Sequence, residues 1–309
     1  MKKKVKVREY LLNTQRINSI ITLIACLVCF SVSIYALCLA IVTYYKEGYP
    51  FSELFEYFTT LINVFNAVSS AFIMPYAIEG IRKKHFTYPR WMSLMHFAGT
   101  SSIAFVFVFT VGFIAPYNID FAFGGSNFYF HVVTPIQILI SYFFVECNYK
   151  YTKRDYIICF MPFFLYSLVY LYEVVILTQA NGGWEDLYLF NTILPFYISM
   201  PICYVFYFIL AVIIRNIVYL TNERRKKRLL KAWNDDTDPL EIKIDVYGLG
   251  NHYGYHNEDN GIDIPYDLLK LLSEKYSIDL NELLNVFNKG LAAGLKDSQN
   301  KKRNKYSPL

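Results

Sequence analysis

The sequence predicts an all-α membrane protein, a polytopic bundle of six transmembrane helices with a small cytoplasmic C-terminal tail. Three observations predict it. The chain of 309 residues is 55% hydrophobic and only 18% charged, against about 25% charged in ordinary soluble domains. Its 28 Tyr and 26 Phe exceed the needs of an aqueous core, whereas aromatic rings suit lipid and the headgroup boundary. Six apolar stretches are also long enough to cross a hydrocarbon layer of about 30 Å, which takes about 20 helical residues.

These stretches are 17–44, 57–81, 91–115, 129–147, 156–177 and 192–220. Main-chain polar groups in lipid must be satisfied internally, so runs of this length are expected as helices, and nothing alternates in the ten-residue manner of a membrane barrel. The first and last exceed the minimum and are expected to tilt or project. A basic start before an apolar run also fits a signal peptide, and Leu23-Ile24-Ala25-Cys26 resembles a lipoprotein cleavage box. The apolar run continues well past Cys26, longer than a signal core of about 7 to 15 residues, so the first span is expected to be retained.

Basic residues orient the spans. Lys2, Lys3, Lys4, Lys6, Arg8 and Arg16 precede the first; Arg82, Lys83, Lys84 and Arg90 follow the second; Lys150, Lys153 and Arg154 follow the fourth. Arg224, Arg225, Lys226, Lys227, Arg228 and Lys231 follow the sixth, and the three alternate loops hold only Lys46. Positive charge gathers on the cytoplasmic side, so a multi-pass cell-membrane protein with both termini cytoplasmic is expected. The net charge of +5 is thus a topology signal and implies no nucleic acid partner.

Three regions result: a basic N-terminus over 1–16, a six-helix membrane domain over 17–222, and a tail over 223–309, partly helical and partly disordered. Residues 234–300 carry 13 acidic and 5 basic side chains and face water. Helical spacing recurs over Pro265–Tyr276 and Ser277–Leu295, with Ser277 or Asp279 as N-cap. Asp245–Asp263, with Gly248, Gly250, Gly254 and Gly261, is expected as loop, and Lys301–Lys305 as a solvated end. His252 and His256 stand four apart beside Glu258, Asp259 and Asp263, but the glycines argue against a helix aligning the rings, and the segment fails the EF-hand pattern. No metal and no cofactor are expected. Cys26 and Cys29 form a CxxC in an apolar helix without a second pair or nearby histidine, and are expected to pack as small apolar residues.

Polar residues inside spans are costly and usually face the bundle interior or a wet cavity. Thr59, Asn63, Asn66 and Ser70 follow spacings of 4, 3 and 4, which puts them on one helical face. In the fourth span His131, Thr134 and Ser141 lie close to one face, with Pro135 interrupting the backbone ladder. Thr59 and His131 each lie two residues inside the outer start of their spans, so their depths match; Glu173, four residues before the end of the fifth span, approaches the same layer. A threonine hydroxyl beside a histidine permits nucleophilic acyl transfer, the imidazole taking the proton as an acyl-threonine forms. Glu173 is a candidate to orient the ring, and Asn63 or Asn66 to donate to an oxyanion. The other reading is structural, with these groups serving as interhelical hydrogen bonds. His96, with Ser93 and Thr100, forms a second polar face near the cytoplasmic end and is expected to pack or hydrogen-bond there.

Tyr57-Phe58-Thr59-Thr60-Leu61-Ile62-Asn63 and His131-Val132-Val133-Thr134-Pro135-Ile136 resemble the androgen-induced family of six-span membrane proteins and its bacterial relatives. There an aromatic-Thr motif opens the second helix and a His followed by Pro opens the fourth. The resemblance covers roughly residues 15 to 220 and implies a catalytic Thr and His, and hydrolysis of fatty acid esters of hydroxy fatty acids. It puts the nucleophile on Thr59, directly after the aromatic residue, and the base on His131. Distance to Asn63 favours Thr60 against the animal pattern and Thr59 against the bacterial one. Gly182-Gly183-Trp184 and Tyr188-Leu189-Phe190-Asn191 resemble the family's Gly-x-Trp and Tyr-Pro-Phe motifs, with Leu189 in place of the proline and extra residues between Trp184 and Tyr188.

The expected function is therefore an integral membrane hydrolase of a lipid ester near the outer face, with membrane lipids and a lipid ester as partners. Two alternatives stand beside it. Pro75, Pro135, Pro162, Pro195 and Pro201 suit the broken helices of a transporter or channel, although no inverted repeat is evident. The acidic tail suits a non-catalytic adaptor with a cytoplasmic protein partner.

Overall fold

The structure is a computed structural model and describes residues 7–83, 88–145, 151–192, 194–232, 238–256 and 266–306. Among these residues there is no strand. The α-helices are α1 (Val7–Glu47), α2 (Phe58–Lys83), α3 (Arg90–Phe109), α4 (Ile119–Phe123), α5 (Ser126–Phe128), α6 (Thr134–Val145), α7 (Lys153–Tyr170), α8 (Phe196–Ala232), α9 (Pro239–His256), α10 (Tyr266–Tyr276) and α11 (Leu280–Tyr306). Single π-turns extend three of them, at Thr110–Ile114 after α3, Tyr129–Val133 before α6 and Leu171–Leu177 after α7.

Five helices among the described residues are long and apolar enough to cross a membrane: Arg16–Glu47, Phe58–Lys83, Arg90–Ile114, Lys153–Leu177 and Phe196–Thr221. Six were expected. The difference lies in the fourth stretch, which is helical without a break from Ser126 through the π-turn to Val145 but is diluted by Ser126, Asn127, His131, Thr134, Pro135 and Gln137 and is not among the helices apolar enough to cross. Residues 146 and 147 of that stretch lie outside the described residues. Several long apolar helices nonetheless mark a membrane-embedded protein.

The chain divides into two compact units. The larger comprises Asn18–Ile78 and Thr87–Leu220. Its helix α7 turns aliphatic side chains outward and mostly aromatic ones inward. On α7, Ile157, Ile158, Met161, Leu165, Leu168 and Val169 are exposed, while Cys159, Phe163, Tyr166, Ser167 and Tyr170 are buried, the spacing of a single inward helical face. Phe163 stacks on Tyr207 of α8 at 5.5 Å and meets Phe105 of α3 at 4.5 Å, and the Tyr207 hydroxyl donates to the Cys159 carbonyl at 2.8 Å. Aromatic rings that carry a polar tip satisfy themselves here without water.

The smaller unit gathers the start of α1, the end of α2 and the end of α8 with α9 to α11. Ile242, Val246 and Leu249 of α9 pack with Leu269 and Leu272 of α10 and with Leu283 and Phe287 of α11. The loop expected over Asp245–Asp263 is overturned as far as His256, which ends α9; 257–265 lie outside the described residues. The glycines have another purpose there. A Cβ on Gly250 would stand 2.1 Å from the Phe287 carbonyl oxygen, and one on Gly290 equally close to that of Tyr247. Glycine at both positions lets α9 and α11 cross backbone to backbone. His252 is likewise helical, and its Nε2–H donates to the carbonyl of Lys83, the last residue of α2, at 2.7 Å. The tail helices otherwise fall where expected, with Asp279 before α11 accepting from Asn281 N–H. The end expected as solvated, Lys301–Lys305, has a helical backbone, since α11 continues to Tyr306.

Candidate active site

All four polar residues of the α2 stripe are buried, Thr59, Asn63, Asn66 and Ser70 alike, and so is His131. Thr59 lies in the first turn of α2, where main-chain N–H groups have no partner within the helix. Its N–H donates to the Tyr188 hydroxyl at 3.4 Å, and its Oγ1 lies 3.5 Å from the same oxygen. Tyr188 belongs to the loop between α7 and α8.

That loop is held from several sides. Thr178, Gly182 and Leu189 take positive φ angles of 63°, 90° and 58°, and Gly183 presses so closely on the Glu173 carbonyl that a Cβ would lie 2.1 Å from it. Asp186 accepts from the Tyr170 hydroxyl at 2.7 Å, from Asn191 N–H at 2.9 Å and from the Thr192 hydroxyl at 2.6 Å. Tyr170 in turn accepts the Tyr188 N–H at 3.3 Å. Proline, locked near −65°, could not take the conformation of Leu189. Burial pushes the Tyr188 phenol above its usual range, so at neutral pH it keeps its proton.

His131 is fixed by a different route. It sits in the π-turn before α6, and its Nδ1–H donates to the Ala122 carbonyl of α4 at 2.6 Å. A carbonyl only accepts, so in the neutral ring Nε2 bears the lone pair. The same π-turn creates a gap in the backbone ladder. Thr134 N–H bonds to the Tyr129 carbonyl, and Pro135 has no N–H, so neither of these two positions offers a donor to the Phe130 carbonyl. Asn63 fills the gap. Its Nδ2 donates to Phe130 O at 3.5 Å and to Thr59 O at 2.7 Å. One amide therefore ties the main chain of Thr59 to that of the residue before His131, and the two carbonyl oxygens are no further apart than these bonds laid end to end. Lateral proximity of the second and fourth apolar segments, which the sequence left open, follows from this bridge.

Other expected members are placed differently. Asn66 Nδ2 donates to the Ile62 carbonyl at 2.9 Å and to Gly99 of α3 at 3.2 Å, and a Cβ on Gly99 would collide with Asn66 Oδ1 at 2.3 Å. Both amides are thus engaged by main-chain carbonyls as helix-joining donors. Glu173 is half-buried in its π-turn, and among the described residues no hydrogen bond joins it to His131; the Ala122 carbonyl orients the ring instead. Glu173 acts on Glu56, whose carboxyl is pushed above the usual range by burial first and then by the charges of Glu53 and Glu173. Thr60 is buried beside Thr59 but does not line the cleft described next. His96 stands edge-on to Tyr142 at 4.9 Å and lines a separate polar recess with Cys26, Cys29, Asn66, Ser70 and Ser141.

Thr59 opens on a cleft between α2, α3, α7 and the loop. Phe58, Phe105, Phe109, Phe163, Tyr166 and Phe190 form most of its walls, with Thr110 and Tyr188 as the other polar groups. The enclosed space is small, about that of one water. His131 does not line it, and among the described residues no hydrogen bond joins Thr59 Oγ1 to the imidazole.

No family model, curated protein or solved structure matches the chain. The likeness to the androgen-induced family therefore rests on the short motifs around Thr59, His131 and Tyr188 alone.

Sequence reasoning missed three participants. Tyr188 was visible as a motif residue without a role. The Phe130 carbonyl was signalled by Pro135, which withholds an N–H from the turn above it. The Ala122 carbonyl left no signal, since any residue could supply it.

Proposed function

We propose that the protein is an integral membrane hydrolase of a fatty acyl ester, with Thr59 as nucleophile and His131 as general base. The observation that carries this reading is the Asn63 bridge, which brings the main chains at the two residues into one neighbourhood. Three further features support it. Nε2 of His131 is free of a proton in the tautomer fixed by Ala122. Thr59, rather than Thr60, lines the aromatic cleft, whose walls suit an acyl chain. The π-turns at Thr110–Ile114, Tyr129–Val133 and Leu171–Leu177 all adjoin this end of the bundle, and such turns are frequent at functional sites.

In this reaction the Thr59 hydroxyl leaves Tyr188, turns toward Nε2 directly or through a water, and adds to the ester carbonyl as the imidazole takes its proton. The leaving alcohol receives that proton, and water hydrolyses the acyl-threonine by the same route. The cleft must widen to admit a chain. No cofactor is called for.

The proposal includes six crossings of the cell membrane with both termini cytoplasmic. The start of α1, the end of α2 and the end of α8 share one compact unit, and an even number of crossings between them is in keeping with that. α3, α7 and α8 make three after α2, and Tyr129–Val145 supplies the fourth. The clustering of Lys and Arg at these same ends supports a cytoplasmic placement.

A fluorophosphonate probe tests the chemistry. Wild-type protein in membranes should be labelled, Thr60→Ala should be labelled equally and Thr59→Ala should be spared; equal labelling of wild type and Thr59→Ala removes the nucleophile. One observation favours the adaptor reading as a second: Leu240, Ile244 and Tyr247 form an exposed apolar stripe on α9, opposite its packed face. If the tail docks a cytoplasmic protein, Leu240→Glu with Ile244→Glu abolishes the cellular phenotype while Thr59→Ala does not.

A further inference from the structure

Building on the hydrolase reading, we infer that Tyr188 is a further catalytic residue: its phenol and the Thr59 main-chain N–H together form the oxyanion site. The side-chain amides of Asn63 and Asn66, the donors expected from sequence, are spent on the main-chain carbonyls of Thr59, Phe130, Ile62 and Gly99. Two donors remain at the nucleophile. One is the Thr59 N–H, in the first turn of α2 and, among the described residues, served by Tyr188 at 3.4 Å. The other is the Tyr188 hydroxyl, 3.5 Å from Thr59 Oγ1. Both contacts are at the long limit for hydrogen bonds, so a substrate oxygen that accepts both donors at closer range replaces them at little cost. The site is preorganised, because the Tyr188 ring is held at 5.5 Å by Phe190 and at 5.9 Å by Tyr170, and its N–H is tied to the Tyr170 hydroxyl.

The electron balance is that of acyl addition. As the Thr59 oxygen bonds to the carbonyl carbon, its proton passes to His131 Nε2 and the carbonyl π pair moves onto oxygen. That oxygen takes the Thr59 N–H, which turns away from the phenol. The phenol, having lost the Thr59 hydroxyl as neighbour, donates its proton as a hydrogen bond to the same oxyanion. Collapse restores the carbonyl and expels the alcohol, which is protonated by His131. Tyr188 gives up no proton in the cycle; it stabilises charge only where charge develops, so its removal acts on kcat and spares KM.

The test uses the full chain in lipid nanodiscs with p-nitrophenyl decanoate, reading the burst of p-nitrophenol and the steady-state rate. Tyr188→Phe keeps the ring and its packing and removes the hydroxyl. The expected result is a burst rate and kcat lower by about a hundredfold to a thousandfold, with KM changed less than threefold and thermal unfolding unmoved. Site-specific replacement of Tyr188 by 3,5-difluorotyrosine, a more acidic phenol of nearly the same size, covers the case in which Tyr188→Phe misfolds. Loss of activity at high pH then begins at a lower pH than in the wild type. Wild-type acylation together with unimpaired Tyr188→Phe, or an unmoved alkaline limb in the fluorinated protein, overturns the donor and leaves the hydrolase reading standing. A wild-type protein that never acylates removes the hydrolase reading, and the donor with it.

Discussion

Replacing Asn63 by leucine removes the side-chain donor that reaches the Phe130 carbonyl. Thr59 O retains its place in the α2 ladder, so its loss is small, whereas Phe130 O is left buried with Thr134 N–H bonded elsewhere and Pro135 offering nothing. An unsatisfied buried carbonyl costs about 1 to 3 kcal/mol, while measured interhelical hydrogen bonds in membranes average nearer 0.6 kcal/mol because the unfolded reference also finds partners. A loss of about 1 to 2 kcal/mol is therefore expected. The decisive measurement is a double-mutant cycle with Pro135→Ala, which restores an N–H at the position that can serve Phe130 O within the existing π-turn. In that background Asn63→Leu should cost about 1 kcal/mol less than in the wild type, read by reversible unfolding in mixed micelles. Residues in one hydrogen-bond network couple, whereas independent sites add to within about 0.5 kcal/mol. Additivity of the two changes would refute the account of why Asn63 faces that carbonyl.

Further expectations follow from particular contacts. Gly250→Ala places a Cβ against the Phe287 carbonyl oxygen and near Leu291 N; both are backbone atoms, so α9 and α11 must separate at about 1 to 3 kcal/mol, seen as faster amide exchange in α9 and α11 with no change in the Thr59 bundle. Leu189→Gly relieves a positive φ of 58° and should stabilise the loop by up to about 1 kcal/mol, raising the melting temperature, while Leu189→Pro at this φ should dislodge Tyr188 and reduce fluorophosphonate labelling. Glu56, held above the usual carboxyl range by burial and by Glu53 and Glu173, disfavours its charged form in the fold. Its contribution is intact below the unfolded value of about 4.3 and is lost as pH rises through the folded one. Glu56→Gln should consequently raise the melting temperature at pH 7 and leave it unchanged at pH 4.

Apolar length and aromatic content determined that the chain is helical and membrane-embedded, and the 4, 3, 4 spacing from Thr59 to Ser70 determined which face of α2 turns inward, because helical period and the cost of polar groups in lipid are local properties. The charge of the loops likewise bears on sidedness without any coordinates. Spacing misled in the tail, where a glycine that resembles loop punctuation lies on the contact surface of two helices; the backbone that Gly250 meets belongs to Phe287 and Leu291, and no short window along the chain contains them together. Partnership across helices was decided only by tertiary structure. That Asn63 would spend its amide on the Phe130 carbonyl, that Ala122 would hold His131, and that Tyr188 would lie over Thr59 from 129 residues away each depend on a side chain meeting a distant backbone group, and nearly every residue carries the same backbone groups.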